Sequence, residues 1–69
     1  MTIEQSTVEY CGARFNGICE GFVWFTDPQT KSTLVIAESE FSLLAVREHL
    51  KEHRRKFTHH QTPSAVNAA

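Results

Sequence analysis

Two spacings divide the chain. Between Thr7 and Ala37, β-branched and aromatic residues come in short runs separated by turn residues, which is how strands read. From Leu43 onward one stripe stands out: Leu43, Val46, Leu50, His53 and Phe57. They recur at three and four residues, the stripe of a helix with one buried face. The first run, "TVEYCGARF" over 7–15, predicts a strand. Asn16-Gly17 predicts a type I′ bend, because Asn and Gly accept the positive φ that both central positions of that turn need. "ICEGFVWFT" over 18–26 is the expected return strand, and "DPQTK" the next turn, with Asp and Pro where a type I turn wants them. "STLVIA" over 32–37 is the third strand. Ser42 is the expected N-cap of the helix, with Ser39 the alternative. Arg54, Arg55 and Lys56 suit the negative end of its dipole.

The expected architecture is α+β: a three-stranded antiparallel meander followed by one C-terminal helix packed on one sheet face (β-β-β-α). Residues 1–6 carry no pattern and read as a frayed N-terminus, 7–57 as a single domain, and 58–69, with Pro63 and small residues, as a flexible tail.

A bend at Asn16-Gly17 would set Phe15 opposite Ile18, Gly12 opposite Gly21, Phe22 opposite Cys11 and Trp24 opposite Glu9. One face then carries Phe15, Ile18, Phe22 and Trp24, with Glu9 and Glu20 among them. The other carries Val8, Tyr10, Val23 and Phe25, and the helix is expected there, over the thin Gly12–Gly21 spot. The four residues left facing out form the candidate interaction surface, since large exposed apolar patches mark contact sites. A bulge at Gly12 or Gly21 would instead slip the register and turn these aromatics into core.

Length sharpens this reading. A chain of 69 residues has little core, and proteins this small usually gain stability from disulfides, a metal or a partner. Two cysteines make no disulfide framework, and no leader pattern or membrane-length apolar run is present, so a cytoplasmic, reducing setting is expected. A partner is the remaining option. A second copy comes first because homodimers are the commonest oligomers, and a different protein comes next.

Chemistry adds little. His49 and His53 share a helix face, but His59 and His60 fall in the expected tail, and the register separates Cys11 from Cys19. No metal, no cofactor and no catalytic residue is expected. Net charge is −1, which argues against a general polyanion binder. Three strands and a helix resemble, in layout alone, the arm-binding domains of certain integrases. That likeness would imply reading DNA from the sheet, where this chain offers acids. Arg47, Lys51, Arg54 and Arg55 on the outer helix face are the candidate phosphate contacts of an alternative, nucleic-acid-binding role. The expected function is a small non-enzymatic protein–protein module, a homodimerising regulator, inhibitor or accessory subunit.

Overall fold

A computed structural model describes the backbone of residues 2–68 and the side chains of residues 2–57. The elements are α1 (Ile3–Tyr10), β1 (Arg14–Cys19), β2 (Phe22–Asp27), β3 (Ser32–Ala37), a single 3-10 turn (Glu38–Glu40) and α2 (Leu43–Ala68). The strands form one antiparallel sheet in the order β1-β2-β3, so the expected α+β class holds, with a short N-terminal helix added.

That helix replaces the expected frayed end and takes the first four residues, 7–10, of the expected first strand. Thr2 caps it, its Oγ1 accepting from the Gln5 N–H at 3.0 Å. Thr2 and Gln5 are three apart, the spacing of a capping box. The C-terminus closes in a Schellman motif: Gly12 N–H donates to the Glu9 carbonyl (3.0 Å) and Ala13 N–H to the Val8 carbonyl (3.1 Å). Gly12 sits at φ 85°, the left-handed conformation this motif demands. Val8 and Ala13, the hydrophobic pair that accompanies the motif, are both core residues. Gly12 therefore ends a helix and is not the thin spot of a hairpin.

With the first strand shortened, the hairpin bends four residues later than expected. The turn is Glu20-Gly21, at φ 53° and 80°, and it joins the opposed pair Cys19 and Phe22. Asn16-Gly17 lies inside β1, where the register shifts between Phe15 and Gly17: a β-bulge that leaves Asn16 without an opposed residue. The Asn16 amide instead donates to Thr26 Oγ1 at 2.9 Å. The pairs are Arg14–Thr26, Phe15–Phe25, Gly17–Trp24, Ile18–Val23 and Cys19–Phe22.

β2 and β3 pair without irregularity from Phe22–Ala37 to Asp27–Ser32. The connection between them is tied down by Asp27, whose Oδ1 accepts from Gln29 N–H at 2.9 Å. α2 starts where expected, Ser42 Oγ accepting from Ala45 N–H at 3.0 Å. The core comprises Val8, Ala13, Val23, Phe25, Ile36, Val46 and Leu50, with Phe15, Leu34 and Phe41 packed on its rim. It lies between one face of the sheet and the two helices. The expected tail, 58–69, lies outside the residues whose side chains are described.

Candidate interaction surface

Alternation along β2 puts Val23, Phe25 and Asp27 under the helices, all buried, and turns Phe22 and Trp24 the other way. Opposed residues share a face, so Gly17 and Cys19 from β1 and Val35 and Ala37 from β3 join them. Phe22, Trp24 and Val35 remain 42%, 37% and 38% exposed. The indole of Trp24 reaches across β1. Its Nε1–H donates to the Cys19 carbonyl at 3.3 Å, and Gly17 opposite it puts no side chain in the way. Arg14, Thr26 and Thr33 close one end of this face with polar groups.

Of the four residues expected on the open face, two are there. Phe15 is opposite Phe25 and packs on the core, so it leaves the surface. Ile18 is opposite Val23, on the helix side by register, and is 39% exposed at the free edge of β1. The bulge and the displaced bend move both. The face also loses both expected acids: Glu20 is in the turn, and Glu9 is on α1, where it accepts from Gln5 at 3.3 Å. Val35 was not singled out from the sequence; three strands in a meander with Trp24 central would have named it as a cross-strand neighbour.

The candidate phosphate contacts are divided by the fold. Arg54 clasps Asp27 in a two-point pair, Nε to Oδ2 at 2.9 Å and Nη2 to Oδ1 at 2.8 Å, and Asp27 is fully buried. The Arg54 hydrogen bond holds the Asp27 carboxyl below the ordinary carboxylate range, against an opposing push from burial, and the same bond raises the pKa of Arg54. Arg55 pairs with Glu52 through Nε and Nη2. Arg47 and Lys51 are exposed; with Cys11, Leu50 and Arg54 they line a shallow hollow between the helices. Two of the four cations are thus engaged by carboxylates, which weakens the phosphate reading.

His49 and His53 are held in local contacts. His53 Nε2 bonds Thr30 Oγ1 at 2.8 Å, and His49 Nδ1 donates to the Ala45 carbonyl at 2.8 Å. Burial raises the pKa of the Cys11 thiol, offset in part by Arg47, so Cys11 is held as the weakly nucleophilic thiol. Among the described residues no three His, Cys, Asp or Glu side chains come together to hold a metal ion. No helix among them is long and apolar enough to cross a membrane. No protein-family model, no curated protein and no solved structure matches this chain.

Proposed function

We propose that the chain is a non-enzymatic protein–protein interaction module that associates through the uncovered sheet face, with a second copy of itself as its first partner. The observation that carries this is the contiguous row Phe22, Trp24 and Val35 on a face that no element covers among the described residues. Each such side chain contributes about 1.5–3 kcal/mol when fully buried, before the cost of association is met. Trp and Phe at the centre of a patch with a polar rim is also the usual composition of an interface.

Sedimentation across a range of concentrations tests the reading. Wild type should gain mass with concentration; Phe22→Glu, which places a charge beside Trp24, should lose the face contact. Trp24→Ala should weaken it. Unchanged association in both variants would remove the face from the mechanism.

A further inference from the structure

The sheet has two edges, and they differ. β1 is bulged at Asn16 and carries Arg14. Bulges and charges are the devices that blunt an edge. β3 has neither. "STLVIA" contains no charge, no Pro and no bulge, and among the described residues nothing pairs with its outer side.

Which backbone groups point outward follows from the ladder. Glu38 N–H donates to the Gly21 carbonyl at 2.8 Å, one step beyond the Phe22–Ala37 pair. Bonded and non-bonded pairs alternate in an antiparallel ladder. Val23–Ile36, Phe25–Leu34 and Asp27–Ser32 are therefore the bonded pairs. The bend agrees: a two-residue turn makes Cys19–Phe22 a bonded pair, which turns Phe22 and Trp24 toward β1 and Val23 and Phe25 toward β3. Thr33, Val35 and Ala37 thus direct their N–H and C=O groups away from the sheet.

We infer that this edge is a strand-addition site and that its occupant is β3 of a second copy, antiparallel, about a two-fold axis through Val35. The strand is self-complementary in that register. Val35 meets Val35 of the second copy and Thr33 meets Ala37, so each outward-facing residue of the strand falls in a bonded pair. A slip of two residues leaves one of them outside the strand overlap, and a slip of one turns the apolar sides against each other. On the helix side Leu34 meets Ile36, extending the core row. The hollow beyond Leu34 is rimmed by Glu48 and Glu52 and by Lys51 and Lys56, so a rotated copy meets both signs of charge. A different peptide could use the same backbone groups, but only the second copy brings this matched, uncharged strand with it.

The inference goes beyond the proposed face contact and does not depend on it. The edge axis is perpendicular to the sheet, whereas a face contact has its axis in the sheet plane. The two together close into a tetramer of two stacked six-stranded sheets.

Amide hydrogen exchange and sedimentation test it together. Val35→Pro removes an outward N–H without touching the β2 ladder, a substitution edge strands tolerate; Val35→Ala trims the same side chain and keeps the N–H. Edge pairing predicts that Val35→Pro halves the mass of the assembly and Val35→Ala does not. In wild type, the Thr33, Val35 and Ala37 amides should slow roughly tenfold or more between dilute and concentrated protein. Fast exchange of these three amides in concentrated protein overturns the edge pairing, even if Val35→Pro fails to fold. A chain that stays monomeric overturns it too. Phe22→Glu separates the two contacts: with both present it leaves the edge dimer, and if mass is unchanged there while Val35→Pro still halves it, the face fails and the edge stands.

Discussion

Arg54 holds Asp27 by two parallel hydrogen bonds, one from Nε and one from Nη2, and so fastens the β2–β3 connection to α2 across 27 residues of sequence. Asp27 lies at the base of the connection, with Pro28, Gln29 and Thr30 following. Its main-chain carbonyl accepts from Lys31 N–H at 2.6 Å, its side chain from Gln29, and Thr30 bonds His53, the residue next to the Arg54 anchor. A small domain with few core residues uses this polar clamp to fix the angle of its long helix.

Breaking the clamp from the acid side should be costly. Asp27→Asn keeps the shape but leaves Arg54 without its charge partner. Because Arg54 is 32% exposed, the loss belongs at the low end of the range for such pairs, about 3 kcal/mol by chemical denaturation.

The same pair sets the acid response. Its carboxyl is held below its ordinary value, so its contribution is complete above the unfolded carboxylate range, near pH ~3.9. As pH falls, the unfolded chain takes up the proton first, and the contribution is lost on passing through the lower folded pKa. Wild type should therefore lose more stability than Asp27→Asn between neutral and acid pH; parallel curves would assign the acid response elsewhere.

Much of the fold was legible in the residues, and the misplacements share one cause. Helical spacing from Leu43 and the Ser42 cap located α2, and "FVWF" and "STLVIA" located β2 and β3. The N-terminal error came from giving Asn16-Gly17 the bend. Local preference there is strong, but a bulge also accepts Asn-Gly, and Gly21 supplies a second position where positive φ is free. Two overlooked signals would have decided it: Thr2 with Gln5 at capping-box spacing, and Gly12 just past a helix end. Reading α1 shortens the first strand, and a shorter strand cannot meet β2 about Asn16-Gly17. For the surface, Phe22 and Trp24 needed only the alternation of β2, whereas Phe15 and Ile18 depended on the bend and moved with it. The Arg54–Asp27 pair could not be read, since nothing local links those positions.

Glu20, like Lys31, is a turn residue ill suited to its conformation. It adopts φ 53° without glycine's freedom, in a place where Asn is far more at ease. Glu20→Asn should stabilise the chain by roughly 1 kcal/mol, part of the 1–2 kcal/mol that left-handed backbone costs an ordinary residue. A lower melting temperature in this variant would mean the bend is not a type I′ turn.

Gly12 gives the complementary case. A Cβ there meets nothing within 4 Å, so any cost of Gly12→Ala comes from its φ of 85° and not from crowding. Destabilisation of about 1–2 kcal/mol is expected. A neutral result would show that the Schellman closure of α1 is absent in solution.

Trp24 reports on the face without a label. It is the single tryptophan, so its emission has one source, and its indole lies on the uncovered side of the sheet, partly in water. The Nε1–H is already bonded to the Cys19 carbonyl, so a second copy stacked on this face can dry the ring without stranding its donor. Emission should move to the blue as concentration rises, quenching by acrylamide should fall, and both should share the midpoint seen by sedimentation. Phe22→Glu should pin the emission at its dilute position, because a buried unpaired carboxylate opposes the contact that shields the indole. Val35→Pro should show the same concentration-dependent shift as Val35→Ala, which also trims the face, because the edge pairing adds strands beside the face and puts nothing over it. Emission that ignores concentration while mass increases would place the contact away from Trp24.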